Sequence, residues 1–388
     1  MNLKKTINRL HLWLGLSSGL VVFIVAVTGC IYAFQAEIKE LTYSFMAVEP
    51  QEKAVLPPSE ISKIAEDAFP EGHLHAILYP TKEKSVQAIF FSYGEGFDHY
   101  QIAYINPYSG ELLKLKDEYA DFFRIVLDGH FYLWLPPEIG QPVVASFTLV
   151  FLFMVISGLI LWWPKKKKNL KQSLKIKWSA RWRRKNYDLH QVLGFYAMTF
   201  ALVFAITGLV WGFLWFRDGV YFVASGGEEF IEYYDPISDS TETYQGAIPV
   251  LDAVWMEMNA EYPEADWIEV HPPGFEGAAI AANANPDATT YWKSDYRYFD
   301  QNTLEELPVE HFYNRFEEAT VAQKIMRMNY DVHVGAIAGL PGKILAFFLS
   351  AIIASLPVTG FLIWWGRKNK AKKESVSQMK EERVLTEV

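Results

Sequence analysis

Four histidines fall at matching places in the two halves of this 388-residue chain. His11-Leu12-Trp13-Leu14-Gly15 leads on to Thr28-Gly29, and His190-Gln191-Val192-Leu193-Gly194 leads on to Thr207-Gly208 with the same spacing. Leu127-Asp128-Gly129-His130, followed by Gly158 and Trp162-Trp163, is answered by Tyr330-Asp331-Val332-His333, Gly360 and Trp364-Trp365, with one residue of slippage. Imidazole is a good ligand for haem iron, and histidines that recur two by two suggest paired axial ligation, which leaves iron no open position and favours electron transfer over oxygen binding. C-x-x-C-H is absent, so haem would be held non-covalently.

A helix advances about 100° per residue, so Gly15, Ser18, Val22 and Gly29 share the face of His11, and Gly194, Ala197, Ala201 and Gly208 share that of His190. A flat macrocycle between helices needs such a smooth wall beside each imidazole. Small residues also let membrane helices approach closely, with no ligand involved. That reading leaves the histidines unexplained, because an ionisable residue within a membrane span is costly and marks a functional site by default.

The elements that must position these residues are four apolar stretches, Leu12–Phe34, Val143–Trp163, Val192–Phe216 and Ile344–Trp365, each near the ~20 residues that cross a bilayer. The first is too long for a signal-peptide core and has an internal relative at residue 190. Lys4, Lys5 and Arg9 precede the first span, Lys165–Lys168 through Arg184 fill the middle connection, and Arg367–Lys373 follow the last, which places both termini in the cytoplasm. The two long connections then face outward with 40 of the 45 acidic residues and fewer than half of the 36 basic ones.

The expected fold is membrane α-helical, with four transmembrane helices in two repeated halves and two small α+β domains outside. The divisions run 1–36 (first span), 37–127 (outer domain), 128–164 (interfacial segment and second span), 165–189 (basic loop), 190–216 (third span), 217–329 (second outer domain), 330–366 (interfacial segment and fourth span) and 367–388 (tail). In the first outer domain Ser59–Phe69 reads as an amphipathic helix with Ser59 as N-cap, and Val86–Tyr93, His99–Ile105 and Glu111–Leu115 read as strands. In the second, Val250–Tyr262 reads as helix and Trp267–His271, Ala278–Ala282 and Tyr291–Phe299 as strands. The charged, apolar-poor tail from Asn369 reads as disordered.

Other chemistry is thin. Cys30 is the single cysteine, so neither a disulfide nor an iron–sulfur cluster can form within the chain. The pair His73-Leu74-His75 lacks a third metal ligand, and His99, His271 and His311 read as isolated residues. Asp128 and Asp331, two residues before their histidines, read equally as groups that orient an imidazole or as solvated interfacial residues. Trp162-Trp163 and Trp364-Trp365 read as interfacial belt residues. Nothing points to nucleic acid, and no G-x-G-x-x-G or flavin-like motif could take a hydride from a nicotinamide.

The H-x-W-x-G start, the Thr-Gly near the far end of the first span, and Leu-x-x-His before the second together resemble the PepSY-associated transmembrane family over roughly residues 5–367. Tyr104-Ile105-Asn106-Pro107-Tyr108-Ser109-Gly110-Glu111 looks like the closing strand and turn of a PepSY domain. Tyr298-Phe299-Asp300-Gln301-Asn302-Thr303-Leu304-Glu305 is a relative without the glycine. The resemblance implies an iron-regulated bacterial inner-membrane protein with two periplasmic PepSY-like domains, akin to siderophore-iron reductases that bind haem b. The family's histidines carry over to His11, His130, His190 and His333.

The expected function is therefore a ferric-siderophore reductase with two bis-histidine haems b, one between His11 and His190 and one between His130 and His333. Gly15, Gly194, Gly29 and Gly208 would lie beside them. Its partners are the lipid bilayer, a ferric siderophore, and quinol or a redox protein as electron donor. Two other readings compete: a siderophore permease without redox chemistry, and a regulatory PepSY membrane protein.

Overall fold

The computed structural model describes residues 3–92, 98–164 and 170–386; Tyr93 and the basic run Lys165–Lys168 lie outside the described residues. The chain divides into a helical unit (Met1–Ala33, Val126–Phe216 and Lys343–Val388) and a sheet unit (Phe34–Ile125 and Arg217–Gly342).

In chain order the elements are α1 (Leu3–Tyr32), α2 (Gln35–Thr42), α3 (Pro58–Ala68), β1 (Leu74–Tyr79), β2 (Val86–Ser92), β3 (His99–Ile105) and β4 (Leu112–Asp117). There follow α4 (Phe122–Tyr132), α5 (Pro137–Trp162), α6 (Leu170–Ser173), α7 (Trp182–Gly212), α8 (Leu214–Ser225) and α9 (Val250–Glu261). The last are β5 (Trp267–His271), β6 (Ile280–Asn285), β7 (Asp295–Phe299), α10 (Val321–His333) and α11 (Gly339–Thr386).

The helices α1, α5 and α7, and the stretch Ala336–Asn369 that runs from a 3-10 turn into the first part of α11, are long and apolar enough to cross a membrane. This is a membrane protein with four such spans. Leu20, Phe153 and Phe348 are more than half exposed on them, a surface suited to lipid rather than water. Inside, Ala26, Ala197, Ala201, Leu349, Ile353 and Ala354 pack together, small side chains letting helices approach. Both α1 and α7 start well before the apolar stretches read from sequence, because a helix already nucleated extends through polar residues at little cost. For the same reason α11 continues to Thr386, through the tail that composition reads as disordered but which is rich in the helix formers Lys and Glu.

The sheet unit departs from the expected pair of separate domains. All strands form one seven-stranded antiparallel sheet, in the order β4-β3-β2-β1-β5-β6-β7. The seam is β1 against β5, with Ile77 opposite Val270 and Tyr79 opposite Ile268. Left apart, each of these strands would show a bare edge of backbone donors and acceptors. Joined, they share one core in which Ile77, Tyr79, Ile268 and Val270 pack with Ile61 and Ala65 of α3 and Val254 and Met258 of α9. Ser59 does not cap α3 as the sequence suggests, since Pro57 holds the N-cap. Its backbone N–H and hydroxyl instead donate to the buried carboxylate of Asp252 on α9, at 2.8 and 2.6 Å.

The same turn is built twice. The Asn106 carboxamide oxygen accepts from the backbone N–H groups of Tyr108 and Ser109, and Gly110 donates to the Asn106 carbonyl at φ +75°. The Asp300 carboxylate likewise accepts from Asn302 and Thr303, and Leu304 donates to the Asp300 carbonyl at φ +64°. Leu304 thus takes a left-handed conformation that glycine adopts without steric cost. Its side chain packs against the shared core, which offsets that cost.

Candidate functional site

His11 on α1 and His190 on α7 line one cavity of about 250 Å³ within the helical unit. Their ring nitrogens are not left to chance. His11 Nδ1 lies 2.8 Å from the Ser157 hydroxyl, and that hydroxyl donates to the Met154 carbonyl of its own helix. Ser157 must therefore accept from His11, so the proton is on Nδ1 and the lone pair on Nε2. His190 repeats the device: its Nδ1 lies 2.9 Å from the Thr359 hydroxyl, whose proton goes to the Ser355 and Leu356 carbonyls. His130 on α4 has Nδ1 at 2.9 Å from the Val25 carbonyl, an acceptor only, which again leaves the lone pair on Nε2.

Glycines make room for each ring. A Cβ on Gly158 would stand 3.5 Å from His11 Cε1, one on Gly360 3.3 Å from His190 Cε1, and one on Gly29 3.1 Å from His130 Cε1. Gly15, Ser18 and Val22 on α1, and Gly194, Ala197 and Ala201 on α7, all line the cavity, as their shared face with the histidines leads one to expect. Gly29 turns instead towards His130, and a Cβ on Gly15 would press on the Met154 methyl at 2.9 Å, so part of the small-residue stripe serves helix contact. Trp162 stacks on Phe195 at 3.7 Å between ring centroids, and both face the same cavity. Gly208 follows Thr207, whose hydroxyl bonds back to Val203 of α7. His333 is the last residue of α10 and belongs to the sheet unit.

Sequence reasoning names the histidines and their glycines but not Ser157 and Thr359. These hydroxyls immediately precede Gly158 and Gly360, so the glycine correspondence carries the signal for them. Asp331 does not orient an imidazole through its described contacts: its buried carboxylate accepts from the backbone N–H groups of Tyr291 and Trp292 and pins that loop to α10.

With the helical spans and their histidines in place, comparison with known families is decisive. The sequence profile of the PepSY-associated TM region matches residues 8–367. The chain belongs to this family. No curated protein matches it. The PepSY-associated region thus includes all four spans and both segments that build the sheet.

The sheet of this PepSY-associated protein also holds an imidazole pair that sequence reading leaves apart. His75 on β1 and His271 on β5 meet edge to face, with ring centroids 5.1 Å apart, and Glu269 approaches His271 Nε2 at 3.4 Å. Among the described residues no group of three side chains is placed to hold a metal ion. Burial pushes the His271 imidazole down, yet the Glu269 carboxylate more than compensates and carries it above its ordinary 6.5. Burial and then the neighbouring His271 hold His75 below that value. Glu269 stays below its ordinary 4.5 despite burial, held there by His271 and by the Asn283 amide.

A raised histidine contributes stability that is complete below 6.5 and fades as pH rises through the folded value, whereas a depressed carboxylate contributes above 4.5 and fades on acidification. NMR titration is expected to show the His271 ring with a midpoint above 6.5 and that of His75 below it, and Glu269→Gln to bring His271 down. A wild-type His271 midpoint at or below 6.5 would contradict the pairing.

Proposed function

We propose that this PepSY-associated protein binds haem b between His11 and His190 and carries electrons across the bacterial inner membrane to ferric iron in a periplasmic siderophore complex, releasing Fe(II). The carrying observation is that both cavity histidines are held in the tautomer whose Nε2 can bind a metal, by hydroxyls whose own protons go to helix carbonyls. Haem b supplies one-electron transfer when bound in such a site. What the chain itself contributes is orientation and exclusion of water: Ser157 and Thr359 hold the rings, the glycines keep the space between helices open, and apolar side chains close it.

Lys4, Lys5 and Arg9 in the first turns of α1, and Arg367 and Lys368 in α11, support cytoplasmic termini, with the segments that form the sheet in the periplasm. Quinol or a redox partner supplies the electron. Hard oxygen chelators hold Fe(III) far better than Fe(II), so a one-electron reduction suffices to release the metal.

The test is the absorption spectrum of the purified protein, oxidised and then reduced with dithionite, followed by ferric siderophore and a colorimetric Fe(II) trap. Sharp b-type bands that re-oxidise as trapped Fe(II) appears are the expected result. A colourless protein after expression with ample haem would remove the reading.

A further inference from the structure

The cavity between His11 and His190 is charged at one end only. Deep in it the lining is Gly19, Val22, Phe151, Val155, Ala201 and Pro357, with no charge. At the end where α1 and α7 begin, Asn8 lies one turn before His11, Gln191 adjoins His190, and Arg367 lies two turns beyond Gly360 on α11. Arg367 is the one charged side chain in this lining, and no carboxylate accompanies it. The side chains of Arg367, Asn8 and Gln191 make no hydrogen bond or ion pair among the described residues, whereas nearby Arg184 is already paired with Asp188 at 2.8 Å.

A cavity with an apolar body and a cationic mouth fits an amphiphile that is flat and apolar along most of its length and anionic at one edge. Resting on the haem reading above, we propose that Arg367 is the anchor for the carboxylate edge of the bound tetrapyrrole, with Asn8 and Gln191 as neutral donors beside it. Arginine suits the task because its fixed fork of N–H groups matches a carboxylate and stays charged at any physiological pH. The carboxylates then reach the water at the mouth while the ring is held by the histidines deeper in. This assigns Arg367 a role beyond that of a positive charge that sets topology, and it separates Arg367 from its neighbour Lys368, whose ammonium lies over the Trp364 ring and which is outside the lining.

The experiment compares Arg367→Gln, Arg367→Lys and Lys368→Gln in detergent, following haem transfer to apomyoglobin and the midpoint potential by redox titration. Loss of a charge-assisted hydrogen bond is expected to speed haem loss about tenfold in Arg367→Gln. The potential of that variant falls, because a cation beside the carboxylates favours the reduced form. Arg367→Lys recovers part of both effects and Lys368→Gln neither, with helical content by circular dichroism unchanged throughout. Equal rates and potentials in wild type and Arg367→Gln would overturn the assignment, and so would an effect of Lys368→Gln as large as that of Arg367→Gln. A wild-type protein without haem would instead overturn the functional reading beneath it.

Discussion

On the proposed function, His190→Ala is expected to lower haem content by about one per chain and to remove one set of low-spin b-type bands. His11→Ala should do the same, because the proposal has both imidazoles hold the iron. The cavity offers no substitute donor of the same strength: Met154 and Met198 line it, but the Met154 methyl already rests against Gly15. Imidazole added during expression should restore the bands in part, which a misfolded protein could not do. Thr359→Val keeps the ligand but frees the ring to turn, and a weakening of 10–100-fold in haem affinity is the order expected when the partner of a ligating histidine is lost. His73→Ala, on the other unit, should leave the spectrum unchanged. Full haem in both His11→Ala and His190→Ala would sink the assignment.

Arg327→Ala is expected to destabilise the sheet unit by about 3–5 kcal/mol, the range seen when a buried polar network loses its centre. Arg327 is only 7% exposed. Its guanidinium donates to the carbonyls of Phe312, Ser294 and Asn314 and to the Asn314 side chain, at 2.6 to 3.1 Å. Among the described residues no carboxylate pairs with it, so the side chain acts as a staple for irregular backbone rather than as half of an ion pair. Truncation leaves four acceptors buried without donors, and each such orphan costs on the order of 1–3 kcal/mol. Lysine has the charge but not the fork, and Arg327→Lys should recover less than half of the loss. Urea unfolding followed by Trp292 fluorescence would measure both. A loss below about 1 kcal/mol in Arg327→Ala would show that the loop carries its own order.

What was legible in the chain follows from the range of the interactions concerned. The spans are legible because hydropathy is a local sum, and the histidines because they recur at fixed spacing. The ends of α1 and α7 are not, since a helix continues through Lys, Arg and Asn once apolar residues have started it. β3 and β5 match the stretches His99–Ile105 and Trp267–His271 residue for residue, where aromatic and branched side chains cluster. β1 is read from sequence only as a pair of imidazoles, because a bulge between Leu74 and Ala76 breaks its alternation. The joining of β1 to β5 leaves no local trace at all, and neither does the meeting of His75 with His271 that follows from it. In the cavity, Arg367 reads from sequence as a topological charge, and only the fold places it at the mouth.

The seam between β1 and β5 sets the timetable of synthesis. Ile77 leaves the ribosome long before Val270, and two further membrane spans must be made in between. Throughout that interval the strand Leu74-His75-Ala76-Ile77-Leu78-Tyr79 stands at the margin of a half-built sheet, apolar and ready to pair with any other extended chain. A protein truncated before Val270 would be trapped in this state, so the first half alone is a poor candidate for separate expression.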